Sequence, residues 1–159
     1  MRTRRRAQEG MTLIESMVAI LLFSMGILAL VGMYAAATSR TSDSQYRIEA
    51  ANYANRMIGH IWASVDRSTA ANLANTLLAF QHRAGNGGCA FSGAASPDAA
   101  VTQWVNDVTA AGTGLPGSDN TMQQILVDTA NANRVTVTVC WRAPTDATTH
   151  RHVVVANIN

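Results

Sequence analysis

The chain has 159 residues, which is enough for one ordinary domain and one long extra element but not for two full domains. All twelve basic side chains are arginines, and four of them lie within residues 1–10. The remaining 149 residues carry eight arginines against nine acids. A near-neutral body without a basic run argues against a nucleic-acid-binding protein.

A long apolar segment, residues 17–37, follows the four arginines and reads MVAILLFSMGILALVGMYAAA. Its clearly polar side chains are Ser24 and Tyr34. Since a helix of about 20 residues crosses the hydrocarbon core of a bilayer, this segment is long enough to span a membrane. Arginines before such a segment indicate that this end stays in the cytoplasm. We therefore predict a transmembrane helix over residues 11–37 with a cytoplasmic N-terminus.

A secretory signal peptide is the alternative interpretation of this segment. The small residues 35–37, followed by Thr38 and Ser39, are typical of a signal cleavage site. However, the apolar run is longer than the ~7–15 residues of a signal core. Helical periodicity also continues beyond it, and Glu15 interrupts its start, so the segment favours a retained span.

Glu15 is an acid at the mouth of the apolar run. An ionised carboxylate at membrane depth is costly unless it is paired, and intramembrane carboxylates usually have a function. The alternative interpretation is that Glu15 rests at the level of the lipid headgroups.

The sequence GMTLIE at residues 10–15 resembles the class III signal of type IV prepilins and pseudopilins. The resemblance implies that residues 1–10 form a basic leader, which an inner-membrane prepilin peptidase removes by cutting between Gly10 and Met11. It also implies that the same type of enzyme N-methylates Met11. The family usually has Phe at the position of Met11, and many of its major pilins have Pro at the position of Gly32.

Cleavage would give Glu15 a partner. It creates an ammonium on Met11, and a carboxylate one helical turn along can meet the ammonium of a neighbouring subunit. Either charge alone would be expensive in a low-dielectric helix bundle, and their attraction offsets part of that cost. Because only one stagger of the helices brings the two charges together, Glu15 is interpreted as the residue that sets the register of assembly.

Helical spacing continues beyond the membrane segment in one apolar stripe of five residues: Tyr46, Ala50, Tyr53, Met57 and Ile61. The stripe predicts one helix from about residue 12 to 62. Its second half, residues 38–63, is predicted to be amphipathic and to pack on a globular domain formed by residues 64–159.

Two shorter helices are predicted next, over residues 68–80 and about 97–111. The second is predicted to begin with Ser96 as N-cap and Pro97 at the first helical position, and to stop at Gly112. Between them, residues 83–93 are rich in glycine but lack the spacing of a phosphate-binding loop. The apolar face of the second helix has four members: Val101, Trp104, Val105 and Val108.

In the last third of the chain, the apolar residues recur with a period of two, which is typical of strands. Residues 122–129, 134–142 and 150–158 are rich in Val, Ile and Thr, and turn residues separate them at 131–133 and 144–146. This pattern predicts a three-stranded antiparallel meander that the long helix covers. The same order of elements occurs in pilins, so the resemblance implies an α+β, pilin-like fold.

Cys89 and Cys140 both lie in the part of the chain that is predicted to be outside the cytoplasm, where disulfides form and persist. A disulfide between them would tie the glycine-rich loop to the sheet. The alternative is two free buried thiols. A catalytic cysteine paired with His82 has no supporting arrangement of residues.

The sequence predicts no catalytic, cofactor or metal site. His150 and His152 share one side of a strand, but no third ligand is evident, and such histidines are usually exposed to solvent. The chain has no G-x-S-x-G elbow, no H-E-x-x-H motif and no paired-cysteine metal set. The composition and motifs favour a structural protein over an enzyme.

Three stretches resemble PilV-type minor pilins more narrowly: residues 21–33, the helix that leads to residues 115–117, and residues 140–142. This resemblance implies a single-pass protein of the bacterial inner membrane that moves to the pilus and the cell surface. Its partners would be the peptidase, the inner-membrane assembly platform, the major pilin, other minor pilins and a tip adhesin. The implied roles are pilus biogenesis, twitching motility and adhesion.

Two other functions stay open at this point. A minor pseudopilin of a type II secretion system shares the same N-terminal segment. A membrane-anchored module that recognises a surface or DNA is a weaker alternative, because the body of the chain has no basic run.

Overall fold

The computed structural model describes residues 6–144 and 146–159, without the side chains of residues 6–10, 39 and 40. Residues 1–5 of the predicted leader and Thr145 of the predicted second turn lie outside the described residues. Three helices come first, α1 (Arg6–Ser64), α2 (Ala70–Ala79) and α3 (Ala99–Thr109). Three strands follow, β1 (Gln123–Asp128), β2 (Arg134–Trp141) and β3 (His150–Asn157). The predicted α+β fold is confirmed.

The chain divides into two compact units, Met1–Ser42 and Asp43–Asn159. The first unit holds the N-terminal part of α1. Leu, Met and Ala dominate its sequence, and these residues lose little side-chain freedom in a helix. Gly26 and Gly32 are tolerated within it, and no other atom lies near where their Cβ atoms would be.

The second unit forms its core around the C-terminal part of α1. Three members of the predicted stripe, Ala50, Met57 and Ile61, are buried, while Tyr46 and Tyr53 are partly buried against the same core. Ala54 is also fully buried, although the predicted stripe left it out. The core cluster further includes Val135, Val137 and Val139 of β2, so this part of α1 and the sheet share one core, as predicted.

The sheet is an antiparallel meander in the order β1-β2-β3, as predicted. Ile125 pairs with Val137, which in turn pairs with Val154, so these three side chains share the sheet face that belongs to the core. Ala132 and Asn133 adopt positive φ angles in the turn between β1 and β2. Asn tolerates this conformation well, which agrees with the predicted turn.

The helix α3 begins two residues later than predicted and ends at Thr109. Its N-cap is Asp98, whose carboxylate accepts hydrogen bonds from the backbone amides of Ala100 and Val101. The prediction of Ser96 as N-cap was wrong, because the Ser96 hydroxyl instead accepts from the Asp98 amide and donates to the carbonyl of Ala79. A carboxylate at the N-cap also makes stronger hydrogen bonds to amides than a hydroxyl does. All four predicted apolar residues of α3 are buried.

Candidate functional site

The predicted processing and assembly residues lie in α1. Gly10 and Met11 are consecutive helical residues, and Glu15 follows Met11 by four positions. Four residues correspond to about 6 Å along a helix axis and return to nearly the same side of the helix. Helical backbone therefore places the Glu15 side chain about one turn from the predicted new N-terminus.

The apolar surface of this segment is fully displayed. Every large apolar side chain from Met11 to Tyr34 is exposed, with exposed fractions between 44% and 76%. Among the described residues, one helix is long and apolar enough to cross a membrane, and its most apolar stretch buries nothing. Such a surface is far larger than the apolar patches that soluble monomers tolerate, so it needs lipid or protein to cover it.

Three hydroxyls of the apolar segment are hydrogen-bonded within the helix. The hydroxyls of Ser16, Ser24 and Thr38 donate to the carbonyls of the residues four positions earlier, at 2.8, 2.7 and 2.9 Å. Hydroxyls bonded in this way can enter an apolar environment at low cost. Glu15 is different, because it is the single charged residue between positions 11 and 39.

Glu15 is exposed on α1. The four ion pairs among the described residues all lie between Asp43 and His150, so none of them involves Glu15. A carboxylate that must enter an apolar bundle requires a partner of opposite charge. Residues 11–39 contain no lysine or arginine, so the predicted new N-terminus or another molecule is the expected source of that partner.

Comparison with known proteins supports this interpretation of the N-terminal segment. A family model for the prokaryotic N-terminal methylation motif matches residues 5–31. The chain carries a prokaryotic N-terminal methylation motif. No curated protein and no solved structure matches the chain.

The methylation motif supports a type IV pilin or pseudopilin family member. It implies a structural subunit that a prepilin peptidase processes and that assembles with other pilins. Together, the motif and the apolar helix fit inner-membrane anchoring. The match ends at residue 31, before the part of α1 that enters the core of the second unit.

The two cysteines meet at one side of the sheet. The Sγ atoms of Cys89 and Cys140 are 2.01 Å apart and their Cα atoms 5.8 Å apart, in disulfide geometry. Phe91 and Met122 pack with them in a small second core cluster. This cluster holds the glycine-rich loop 83–93 on β2, the position that the predicted disulfide requires.

His82 lies at the base of the same loop and is buried. Its backbone amide and carbonyl both bond to Ile125, each at 3.0 Å. Its Nδ1 accepts the backbone N–H of Ser96 at 3.1 Å, and its Nε2 is buried without a partner among the described residues. Burial, and secondarily the charge of Arg83, lower the pKa of His82 below its ordinary value of 6.5. These contacts give His82 a packing role.

His150 does not have the exposed position that was predicted for it. Its side chain is 22% exposed, its ring stacks on Trp141 with 5.6 Å between centroids, and its Nε2 lies 2.6 Å from Oδ2 of Asp146. Asp43 of α1 belongs to the same group: one ligand atom from each of Asp43, Asp146 and His150 lies within 4.8 Å of the others.

His152, the other member of the predicted histidine pair, is not part of this group. Sequence analysis missed the group because Asp43 is remote in sequence from Asp146 and His150. The spacing of Asp146 and His150 was visible, but two residues four positions apart are a weak signal in a connecting segment.

Proposed function

We propose that this protein is a minor pilin of the PilV type, a structural subunit that primes or caps a type IV pilus. In this role it acts in pilus biogenesis, twitching motility and adhesion. The observation that carries the proposal is the methylation motif at the start of an apolar helical segment, residues 11–37, whose large apolar side chains are all exposed around one carboxylate, Glu15.

The proposed pathway begins with removal of residues 1–10. A prepilin peptidase cuts between Gly10 and Met11, and the enzyme then methylates the amino group of Met11. Residues 11–37 hold the subunit in the inner membrane with the N-terminus in the cytoplasm. During assembly the same apolar surface leaves lipid and packs against the helices of neighbouring subunits, so it is covered in both states.

In the filament, Glu15 is proposed to meet the methylated ammonium of Met11 on an adjoining subunit. The two groups lie about 6 Å apart along the axis of one helix, so neighbouring helices would bring them together at one axial offset. Leaving either charge buried and unpaired would cost about 3–5 kcal/mol, which disfavours every other offset. Glu15 would thereby determine register as well as contribute to stability.

The remaining parts of the chain are proposed to determine which other subunits bind next to this one. Residues 38–63 and 64–159 would form a periplasmic domain, later exposed at the pilus surface, in which Cys89 and Cys140 are oxidised to a disulfide. The proposed partners are the major pilin, other minor pilins, the assembly platform and a tip adhesin. No bond-making chemistry is assigned to this domain.

Mass spectrometry of the mature protein tests the processing step. The expected product begins at Met11 and carries one added methyl group on its amino end, and Gly10→Val should retain the leader. A Gly26→Val variant serves as the matched control, because its site lies in open space within the span. A native product that still begins with the arginine-rich leader would contradict the proposal.

A minor pseudopilin of a type II secretion system is the second candidate, because the methylation motif occurs there too. Deletion of the gene in its own bacterium separates the two. A minor pilin predicts loss of surface fibres and of twitching with secretion intact, and the chain should co-purify with sheared fibres. Loss of secretion with normal fibres would favour the pseudopilin.

A further inference from the structure

We infer that Asp43, Asp146 and His150 form a binding site for one divalent transition-metal ion of the zinc class. Asp43 lies on α1 at the start of the second unit, Asp146 on the connection between β2 and β3, and His150 at the first position of β3. One ligand atom from each lies within 4.8 Å of the others. Ligand atoms on one tetrahedral ion with bonds of about 2.0–2.2 Å are about 3.4 Å apart. An ion would therefore replace the 2.6 Å hydrogen bond between His150 Nε2 and Asp146 Oδ2 and draw the Asp43 carboxylate toward the pair.

The first independent observation is an unsatisfied carboxylate oxygen. Asp43 Oδ1 is inaccessible to solvent and has no hydrogen-bond partner among the described residues. The other oxygen, Oδ2, pairs with the Arg47 guanidinium at 3.0 Å. Arg47 therefore does not provide a hydrogen-bond donor to Oδ1. A buried carboxylate oxygen without a partner is costly, and a bound cation would remove that cost.

The second observation concerns the support of His150. Trp141 is 1% exposed, its ring stacks on the imidazole, and its Nε1 is also without a partner in the described part of the chain. A stacked ring restricts the imidazole to one orientation, which is what a metal-ligating histidine requires.

The composition of the group selects the class of ion. One imidazole nitrogen and two carboxylates form a set that suits zinc and related transition metals and leaves a coordination position for water. Calcium prefers six to eight oxygen ligands, and magnesium keeps most of its waters, so neither matches a three-residue set that contains an imidazole. This inference does not depend on the proposed assembly role.

A metal ion here would join parts of the domain that are remote in sequence. It would clamp the connection between β2 and β3 to α1, close to where α1 begins to contribute to the core of the second unit. The expected effect is a higher melting temperature of the domain, because an ion that binds only the folded state stabilises it by mass action.

The test uses the full chain in detergent, without a polyhistidine tag and after removal of metals with a chelator. Titration with zinc chloride in a calorimeter should show one ion bound per chain, and the same addition should raise the melting temperature. Asp146→Asn and His150→Ala should each weaken zinc binding by about tenfold or more. Circular dichroism without zinc checks that both variants are folded.

Two matched controls make the assignment specific. His152→Ala removes the neighbouring strand histidine outside the group and should bind zinc like the original chain. Arg47→Gln removes the ion pair to Asp43 but no ligand, and it should bind zinc at least as tightly. Asp43→Asn removes both the ion pair with Arg47 and the carboxylate ligand, and it should weaken zinc binding.

Three results would overturn the inference. The first is no zinc binding at millimolar concentration. The second is binding that survives Asp146→Asn and His150→Ala. The third is a rise in melting temperature that calcium produces and zinc does not.

Discussion

The indole Nε1 of Trp104 donates a hydrogen bond to the backbone carbonyl of Tyr53 at 3.0 Å, across a sequence separation of 51 residues. A second hydrogen bond joins the same two helices, because the Tyr53 hydroxyl donates to the backbone carbonyl of Asp107 at 3.2 Å. The Asp107 carboxylate in turn pairs with Arg56 at 3.0 Å. These bonds hold α3 against α1 within the second unit and determine which side of α1 the domain covers.

Trp104 should therefore be a main determinant of the stability of the domain. Trp104 is 3% exposed, whereas Trp62 is 44% exposed. We expect Trp104→Ala to lower the free energy of unfolding by about 3–5 kcal/mol, through lost burial and a cavity. Trp62→Ala, the matched control, removes a contact with Arg67 and should cost at most about 1 kcal/mol. Urea unfolding followed by circular dichroism measures both, and equal losses would contradict the prediction.

Loss of the proposed disulfide between Cys89 and Cys140 should lower the free energy of unfolding by a similar amount. The two cysteines are separated by 51 positions, and closing a loop of this length in the unfolded chain corresponds to about 4 kcal/mol in the chain-entropy model. Reduction, or the double variant Cys89→Ala with Cys140→Ala, should lower the free energy of unfolding accordingly. If a reductant leaves the unfolding midpoint of the purified protein unchanged, the cysteines are not bonded in it.

The lowered pKa of His82 predicts that the folded domain loses stability in acid. Burial, followed by the nearby charge of Arg83, lowers the pKa of His82 in the folded protein below 6.5. The unfolded chain then binds a proton at a higher pH than the folded protein does. The His82 contribution is therefore complete above about pH 6.5 and is lost as the pH falls from there through the lowered folded pKa.

His82→Asn isolates this effect, because the side-chain oxygen of asparagine can still accept the Ser96 amide without titrating near neutral pH. We expect a smaller fall in the free energy of unfolding between about pH 7.5 and about pH 5.5 in this variant than in the original chain. The same substitution at the exposed His60 should leave the fall in place. An identical pH dependence in His82→Asn and the original chain would contradict the prediction.

Glu15→Ala should separate processing from assembly. We expect leader cleavage to continue and incorporation into fibres to fall by about tenfold or more, since an unpaired buried ammonium costs about 3–5 kcal/mol. Ser16→Ala is the matched control, because it alters the neighbouring exposed residue and removes only a hydroxyl bonded to the carbonyl of Thr12. Immunoblots of sheared fibres and of membranes measure both steps, and normal incorporation of Glu15→Ala would refute the register role.

The local elements followed closely from periodicity. The stripe on α1, the apolar face of α3 and the three strands all depend on which residues recur every 3.6 or 2 positions, and neighbouring residues suffice to reveal that. Helix ends were less accurate. Ser96, Pro97 and Asp98 offered two acceptable N-caps, and the bond from Ser96 to Ala79, a residue of a different helix, left Asp98 as the cap.

The sequence by itself determined the methylation motif and the long apolar helix, because both are recognised from consecutive residues. Only the tertiary structure brought Asp43 to Asp146 and His150, set Trp104 against Tyr53 and made the His82 ring a buried acceptor. These contacts join elements that are remote along the chain. Their geometry depends on how the helices and the sheet pack, which no local pattern of residues encodes.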